Sequence, residues 1–412
     1  MKILIATSNR NVVGGIETYL QSLIPALLRR GHQVAMLYDH PAVGSVTVDP
    51  PEAQLPAWNS DRLVRQPELW REVLEWKPDV VYAHGLTSLE ADRILQENYP
   101  VVNYAHAYWG TCTTGQKCHS FPNPRPCERT FGPTCLLLHY PRRCGGLNPA
   151  VAWKLFQFEK ARNARLTEYR AILVASRHMY NEYAKHGVDT ARLHLVHLPL
   201  TAPGSETLPA RRNPAGRLLF VGRLNALKGA GFLLKAIPEA EKKLGRSLTL
   251  TLAGDGPELD QLRGLARRTG AAVEFGGWVN TSRKIALMRE SDLLVVPSVW
   301  PEPFGMVGIE AGSHGLPAAG FAVGGIPDWL IPGRTGELAP GDPPTVQGLA
   351  DAIVRALGNP DHYFNLCQGA WELSRQFSME QHIAHLERIL ADCTRRDEVQ
   401  ACVPVTSADC HE

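Results

Sequence analysis

The sequence has no run of the roughly twenty apolar residues that a membrane-spanning helix needs. It also has little net charge: 43 Lys and Arg residues stand against 41 Asp and Glu residues, which leaves +2. That balance gives no general reason to expect a nucleic-acid partner. The apolar start of the chain is too short for a secretory signal peptide. We therefore expect a cytoplasmic protein whose contact with a membrane, if it has one, is peripheral.

Length and composition are those of a folded protein with more than one domain. At about 150 residues per domain, 412 residues suggest two or three domains. The hydrophobic fraction of 44% and the charged fraction of 20% exclude the collagen-like, coiled-coil and disordered classes.

Short apolar runs alternate with helical stretches in both halves of the chain. In the first half they predict strands at 2–6, 33–38, 80–83, 101–105, 171–175 and 193–197. A second series follows a Pro- and Gly-rich stretch and predicts strands at 218–222, 248–253, 273–275 and 293–297. The runs are continuous rather than alternating, which is typical of parallel strands buried on both faces. The sequence therefore predicts an α/β protein with two doubly wound, Rossmann-like domains facing each other across a cleft.

The same pattern sets the expected domain boundaries. They are an N-terminal Rossmann-like domain at 1–200, a linker at 201–216, a C-terminal Rossmann-like domain at 217–376, a last helix at 377–395 and a flexible tail at 396–412. Ser378 and Gln381 fit a capping box at the start of the last helix. We expect that helix to pack back on the N-terminal domain.

Two turns that follow predicted strands contain residues suited to bind an anion. Gly14 and Gly15 precede a helical stretch, so the backbone can approach a ligand and the helix N-terminus favours a negative charge. After Gly222, the cations Arg223 and Lys228 are five residues apart and can hold a diphosphate. Taken singly, the first motif also fits a plain tight turn and the second fits two surface cations.

A third turn, after the strand predicted at 293–297, contains two carboxylates. Glu302 lies in the turn and Glu310 in the helix that follows. A carboxylate accepts hydrogen bonds from two vicinal hydroxyls, so each Glu can hold a sugar ring. Gly305 leaves N–H groups of the first helical turn open for a phosphate.

The Arg223 and Lys228 pair and the Glu302-x7-Glu310 spacing resemble the retaining glycosyltransferases of the GT-B fold, in family 4 (glycosyl transferases group 1). Three further segments match the family pattern in the same order: Gly14-Gly15-Ile16-Glu17, Ala253-Gly254-Asp255-Gly256-Pro257 and Gly324-Gly325-Ile326-Pro327. The resemblance covers about residues 1–395 and is most specific in the second half. Asp328 departs from the pattern, because many relatives have Glu in that place.

The resemblance implies transfer of a sugar from a UDP- or GDP-sugar to a hydroxyl of a glycan, a lipid carrier or a small molecule. It also implies that the domain at 1–200 is the acceptor-side domain and that the domain at 217–376 binds the nucleotide sugar. Arg223 and Lys228 would stabilise the leaving diphosphate. Gly14, Gly15 and Gly222 would lie beside the diphosphate, Trp278 near the base, and Glu310 would bind the ribose. Glu302 would bind the transferred sugar, and His106 would face the reacting sugar. Backbone N–H groups of Phe304, Gly305 and Met306 would contact the sugar and the phosphate.

No cofactor is expected for the reaction. The sequence has no Asp-x-Asp motif to hold a divalent metal, and the resemblance implies same-face attack assisted by the leaving phosphate, without a dedicated nucleophile. Fold alone does not decide function. A sugar-nucleotide epimerase or a phosphorylase on the same architecture and a nucleotide-sugar-binding protein without turnover therefore stay open.

A Cys- and Pro-rich segment at 106–148 is expected to be a loop-rich insertion beside the acceptor side of the cleft. It contains five of the nine cysteines: Cys112, Cys118, Cys127, Cys135 and Cys144. Three interpretations stay open, namely a structural zinc site, two disulfides with one cysteine left over, and free thiols in a small core. In each of them the insertion is structural or shapes the acceptor site.

Overall fold

A computed structural model describes residues 1–12, 14–41, 47–50, 54–209 and 213–401, and of residues 396–401 it describes the backbone only. Residues 210–212 of the predicted linker and 402–412 of the predicted tail lie outside the described residues. Within the described part, no helix combines the length and the apolar character needed to cross a bilayer.

The described residues form fifteen strands in three sheets. They are β1 (Lys2–Asn9), β2 (Gln33–His40), β3 (Ala57–Asn59), β4 (Val80–His84), β5 (Val101–Ala105), β6 (Cys118–His119), β7 (Arg125–Pro126), β8 (Ala171–Val174), β9 (Leu193–Leu195), β10 (Arg217–Val221), β11 (Thr249–Ala253), β12 (Ala272–Gly277), β13 (Leu293–Val296), β14 (Ala318–Ala322) and β15 (Gly336–Pro340).

The same residues form fourteen α-helices. They are α1 (Gly15–Arg29), α2 (Ser60–Arg65), α3 (Trp70–Trp76), α4 (Leu89–Asn98), α5 (Pro133–Leu138), α6 (Pro149–Arg165), α7 (Arg177–Lys185), α8 (Ala230–Leu244), α9 (Leu259–Thr269), α10 (Thr281–Glu290), α11 (Met306–Gly312), α12 (Val346–Leu357), α13 (Pro360–Ser374) and α14 (Met379–Ala401).

Two parallel sheets define two Rossmann-like domains. The N-terminal sheet has the strand order β3-β2-β1-β4-β5-β8-β9 and the C-terminal sheet the order β12-β11-β10-β13-β14-β15. In both sheets the strand order reverses beside the first strand of the domain, β1 or β10. The crevice at such a switch point, outside the carboxyl ends of the strands, is where ligands bind in open α/β sheets.

The central strands are buried on both faces, as the continuous apolar runs predict, whereas the edge strands β3 and β12 are partly exposed. Ile3 and Ile5 of β1 enter the main core, whereas Leu4 and Ala6 enter a second core on the other face of the sheet. Every residue of β4, β5 and β8 is buried. Helices on both faces of each sheet therefore remove the apolar side chains from water and fix the strand ends that position the site.

The last helix, α14, packs against the N-terminal domain. The carboxylate of Glu387 accepts two hydrogen bonds of 2.7 Å from the guanidinium of Arg30 and lies 2.7 Å from Nε2 of His32. At its start, Oγ of Ser378 accepts from the N–H of Gln381 at 3.2 Å, as a capping box requires. The helix continues to Ala401, beyond the end predicted at 395.

Asp328, which departs from the family pattern, joins the two domains. Its Oδ2 accepts a hydrogen bond of 2.8 Å from the backbone N–H of Arg177, the first residue of α7 in the N-terminal domain. A carboxylate at a helix N-terminus is favourable, because the first N–H groups of a helix have no partner within it. The contact holds the Gly-Gly turn of the C-terminal domain against the N-terminal domain.

Candidate active site

The turn after β10 directs Lys228 toward the C-terminal end of β13. The side chain of Asn225 accepts a hydrogen bond of 3.1 Å from the backbone N–H of Lys228 and closes a short 3-10 turn, Ala226–Lys228. Arg223 lies at the start of the same turn, exposed in the cleft, and no carboxylate of the described residues forms an ion pair with it. The two cations thus differ, because Lys228 forms an ion pair with Glu302 whereas Arg223 faces solvent.

Lys228 pairs with Glu302, the carboxylate predicted to bind a sugar. Nζ of Lys228 lies 2.6 Å from Oε1 of Glu302, and Oγ of Ser298 donates to the same oxygen at 2.6 Å. Glu302 is buried and Lys228 is partly exposed, so the ion pair stands at the boundary between the core and the cleft. Charge-assisted hydrogen bonds of this kind fix the orientation of a carboxylate before a ligand arrives.

The Gly-Gly turn lies directly behind Glu302. The N–H of Gly325 donates to the carbonyl oxygen of Glu302 at 2.7 Å. At Gly324, where φ is +55°, a Cβ atom would come within 2.4 Å of the backbone of Glu302. Only glycine fits both this backbone conformation and this approach, which explains the motif physically.

The second carboxylate of this region, Glu310 on α11, also has a cationic partner. Nζ of Lys284, on α10, lies 2.8 Å from each of the two carboxylate oxygens of Glu310. Lys284 lines the same cleft as Arg223. A carboxylate that accepts from a cation on one side can still accept from hydroxyls on the other, because it has about four acceptor positions.

The start of α11 is held by packing. Trp329 Nε1 donates to the carbonyl oxygen of Phe304 at 2.7 Å, and the ring of Phe304 is buried against His197 with a centroid separation of 5.2 Å. Gly305 caps the helix with φ of +87°, and Met306 is its first residue. Phe304, Gly305 and Met306, the three predicted site residues after Glu302, therefore lie on a segment that these contacts hold in place.

In the N-terminal domain, Gly14 and Gly15 stand at the start of α1. Gly14 is the N-cap and lines the cleft, and a Cβ atom added to Gly15 would meet nothing within 4 Å. Glu17 of the same motif is buried and accepts a hydrogen bond of 3.2 Å from Nδ2 of Asn9. The open space at Gly15 leaves the first N–H groups of a helix of 15 residues accessible.

His106 follows β5 and lies against a second histidine. Its Nε2 is 2.8 Å from Nδ1 of His84, the last residue of β4. Burial lowers the pKa of His106 to about 3. Burial also lowers the pKa of His84 well below its usual value, and the neighbouring His106 and His382 add to that effect. Both imidazoles are thus neutral near pH 7, and one donates a hydrogen bond to the other.

Both domains line a cleft of about 1000 Å³. Of the predicted site residues it contains Gly14, Gly222, Arg223 and Trp278, and Trp278 is 79% exposed. Lys228 and Glu302 lie in the turns after β10 and β13, and Glu310 lines a neighbouring pocket that shares Lys284 with the cleft. Four of the predicted donor residues therefore line one interdomain cleft.

Lys284, Ser298 and His84 are contacts that sequence reasoning missed. Lys284 lies on a helix without any motif, and Ser298 is an ordinary polar residue after β13. His84 ends a predicted strand, so its position beside His106 could have been inferred from the parallel alignment of neighbouring strands.

The five cysteines of the insertion are free thiols in the structure. Among the described residues, no group of three or more His, Cys, Asp or Glu is placed to hold a metal ion. Burial raises the pKa of Cys144 to about 11 and that of Cys118 to about 12, so both stay protonated at neutral pH. The insertion contains a short antiparallel pair, β6 and β7, together with α5.

Two Rossmann-like domains that face each other across a cleft have the arrangement of the GT-B fold. Two family models match the chain, "Glycosyl transferases group 1" over residues 210–371 and "Glycosyltransferase Family 4" over residues 13–200. The chain belongs to this family of glycosyltransferases.

Several characterised proteins are similar to the chain. Glycogen synthase of Mycobacterium tuberculosis is 28% identical over 389 residues, which cover 85% of this chain and 84% of that protein. Phosphatidyl-myo-inositol mannosyltransferase of the same organism is 34% identical over 145 residues, covering 34% of this chain and 38% of that protein.

Solved structures share the fold over nearly the whole chain. HepE of Anabaena in complex with UDP-glucose superimposes with a TM-score of 0.67 at 19% identity, covering 95% of this chain and 100% of that chain. Sucrose-phosphate synthase from Thermosynechococcus elongatus gives a TM-score of 0.68 at 20% identity, covering 97% and 100%.

Proposed function

We propose that the protein transfers a hexosyl group from a UDP- or GDP-sugar to an acceptor hydroxyl, with retention of the anomeric configuration and without a catalytic metal. The observation that supports this most strongly is the Lys228 and Glu302 ion pair at 2.6 Å, in which Lys228 comes from the same turn as the exposed, cleft-lining Arg223. A paired cation and carboxylate can bind the phosphate and the sugar of one donor molecule at once.

The diphosphate would lie between the two domains. Arg223 and Lys228 would contact its oxygens from the C-terminal domain, and the N–H groups at Gly15 would face it from the N-terminal domain. As the diphosphate leaves, negative charge develops on it, and cations already in place stabilise that charge without reorganising.

The two carboxylates would bind the hydroxyl groups of the donor. Glu302 would accept from hydroxyls of the transferred sugar while Lys228 and Ser298 hold its Oε1. Glu310 would accept from the ribose hydroxyls while Lys284 holds it in place. HepE, which has this fold, was solved with UDP-glucose, and this agrees with a nucleotide-sugar donor.

The transfer would break the bond between the anomeric carbon and the leaving β-phosphate oxygen and form a bond from the acceptor oxygen to the same carbon. The acceptor hydroxyl would attack from the face that the phosphate leaves. Its proton would pass to the leaving phosphate oxygen, so no side chain has to act as nucleophile. His106, neutral and fixed by His84, would offer its remaining ring nitrogen to a sugar hydroxyl.

The experiment incubates the full chain with UDP- and GDP-sugars and candidate acceptors, with and without a chelator. We expect nucleoside diphosphate and an α-linked product to form at the same rate in both, with strong loss of rate in Glu302→Gln. Conversion of the donor sugar without an acceptor would instead identify an epimerase. Binding of the donor without any turnover would identify a nucleotide-sugar-binding protein.

A further inference from the structure

Two buried polar groups without a hydrogen-bond partner lie side by side at one edge of the N-terminal sheet. Thr7, near the C-terminal end of β1, and His84, the last residue of β4, are paired in the register of these parallel strands. Both residues are 0% exposed. Oγ1 of Thr7 and Nε2 of His84 have no partner among the described residues. Buried polar groups in this condition are rare and require an explanation.

The two side chains project from the same face of the sheet as His106. Ile5 of β1 and Tyr82 of β4 belong to the main core, and Thr7 and His84 each follow two residues later. Side chains two residues apart on a strand point to the same face. His106, directly after β5, lies 2.8 Å from His84. Thr7, His84 and His106 therefore form one row across the neighbouring strands β1, β4 and β5.

The tyrosine hydroxyls beside this row donate to other acceptors. Nδ1 of His382 is 2.9 Å from the carbonyl oxygen of His197, so this nitrogen carries the proton and Nε2 of the same ring accepts. Tyr19 consequently donates to Nε2 of His382 at 2.7 Å, and Tyr82 donates to Tyr19 at 3.1 Å. The hydrogens of both hydroxyls are thus used within this chain of contacts.

A count of hydrogens decides which nitrogen of His84 carries its proton. Because burial lowers the pKa of His84 and of His106, each ring is neutral and has one N–H. With the proton of His84 on Nε2, that N–H and the O–H of Thr7 would be two buried donors with one acceptor oxygen between them. With the proton on Nδ1, the O–H of Thr7 faces a lone pair on Nε2 and no donor is left over. Buried donors without an acceptor are strongly avoided, which favours the second arrangement.

We propose that His84 and Thr7 are positioning residues that fix His106 in the tautomer with its proton on Nδ1. His84 donates from its Nδ1 to Nε2 of His106, and the Thr7 hydroxyl stabilises this tautomer of His84 from β1. Nδ1 of His106 has no hydrogen-bond partner in the described residues and keeps contact with solvent. The use of this tautomer rests on the proposed transfer, in which His106 faces the transferred sugar.

The proton on Nδ1 makes His106 a hydrogen-bond donor toward the sugar. A sugar hydroxyl accepts this hydrogen bond and can still donate its own hydrogen elsewhere. An ammonium group has hydrogens and no lone pair, so it cannot take the place of that hydroxyl. The row therefore selects donor sugars with an oxygen at the position that faces His106.

The tautomer is read in the purified full chain, without donor or acceptor, by long-range ¹H–¹⁵N NMR of the histidine rings. The signals that disappear in His106→Gln identify this ring among the 15 histidines. In the unmodified protein at pH 7 we expect His106 to have a protonated Nδ1 and an unprotonated Nε2. The reverse result overturns the proposal, because His84 would then accept from His106 instead of donating to it.

Variants separate this role from a merely structural one. His84→Leu removes the donor and Thr7→Val removes only a hydroxyl, so both should increase the share of His106 that is protonated on Nε2. Thr7→Ser keeps the hydroxyl and should keep the wild-type tautomer. The matched control is Tyr82→Phe, which removes a buried hydroxyl that donates to Tyr19 on the same face. An unchanged tautomer in His84→Leu or in Thr7→Val overturns the proposal.

The kinetic consequence is measured on the same variants. Thr7→Val should lower kcat by up to about tenfold, the effect of one hydrogen bond, and Thr7→Ser should restore it. A wild-type kcat in a Thr7→Val protein with an altered tautomer would contradict the role in transfer. If the tautomer responds as expected and the unmodified protein transfers no sugar, the proposed transfer fails while the positioning of His106 stands, so the two failures are distinct.

Discussion

Nζ of Lys228 lies 2.6 Å from Oε1 of Glu302, although 74 residues separate them in the chain. The two residues come from the turns after β10 and β13, which are neighbouring strands of the C-terminal sheet. Parallel neighbours end at the same edge of a sheet, so the cation proposed to bind the phosphate and the carboxylate proposed to bind the sugar lie at one site. The proposed transfer depends on this pair.

Glu302→Gln should lower kcat by about 100- to 1000-fold and leave the fold intact, since the loss of one preorganised electrostatic contact has effects of that size. The amide oxygen can still accept from Lys228 and Ser298. Steady-state kinetics and the melting temperature check the two parts. Glu239→Gln, at an exposed position on α8, is the matched control and should keep the wild-type rate. Wild-type turnover of Glu302→Gln would refute the assignment.

Glu310→Gln should weaken nucleoside diphosphate binding by about tenfold, because hydrogen bonds to a charged acceptor are stronger than those to a neutral one. The same variant should bind the 2′-deoxy analogue as tightly as the wild type does. Calorimetric titration of both ligands, with Glu290→Gln as the control, measures how much the affinity gained from the 2′-hydroxyl depends on Glu310. Equal discrimination by wild type and variant would mean that Glu310 does not contact the ribose.

Gly15→Ala should raise the donor KM by about tenfold without loss of stability. A Cβ atom at this position meets nothing in the protein, so only a bound ligand can be displaced by it. Alanine also suits a helix better than glycine, by up to about 1 kcal/mol. Gly264→Ala on α9, where a Cβ atom would meet only the end of the Arg268 side chain at 3.4 Å, is the control. An unchanged KM in Gly15→Ala places the diphosphate elsewhere.

Acid should destabilise the protein below about pH 6.5 through its buried histidines. Burial lowers the pKa of His382 to about 4 and that of His106 to about 3, so the unfolded chain binds more protons than the folded one between those values and pH 6.5. Each such histidine contributes stability that is fully present above pH 6.5 and declines by about 1.4 kcal/mol per pH unit below it.

The free energy of unfolding in urea, measured at pH 7 and pH 5, tests this. His382→Gln removes one of these titrating groups, so its free energy should fall less between the two pH values than that of the wild type. Equal falls in both proteins would show that His382 does not titrate as described.

The fold was largely predictable because most of its strands are apolar and continuous, but five of the fifteen strands were missed, namely β3, β6, β7, β14 and β15. β3 has only three residues, all partly exposed. β14 has the sequence Ala-Ala-Gly-Phe-Ala, and its small residues lack the β-branched signature of a strand. Its glycine is required by packing, since a Cβ atom at Gly320 would lie 2.6 Å from the carbonyl oxygen of Val296 on the next strand. The close approach of β13 and β14 therefore requires small residues, and these do not show the sequence pattern of a strand.

The residues of the site were predictable where a motif surrounds them, and their pairings were not. Arg223, Lys228, Glu302 and Glu310 stand in recognisable turns. Lys284 on α10 contacts Glu310 on α11 although 26 residues separate them in the chain, and no local pattern encodes that contact. The insertion shows the same limit, because the spacing of its five cysteines matches no metal-binding motif and leaves their role open.

Ligand-induced thermal stabilisation of the purified chain tests the central claim most directly. A panel of nucleoside diphosphates and their sugars is measured with and without a chelator, on the wild type, on Lys228→Met and on the control Lys235→Met, at an exposed lysine of α8. A ligand that binds the native state raises its melting temperature with occupancy. We expect one nucleotide to stabilise the wild type and the control in the presence of chelator, and to stabilise Lys228→Met far less. Absence of any stabilisation, or equal stabilisation of Lys228→Met, would contradict the account.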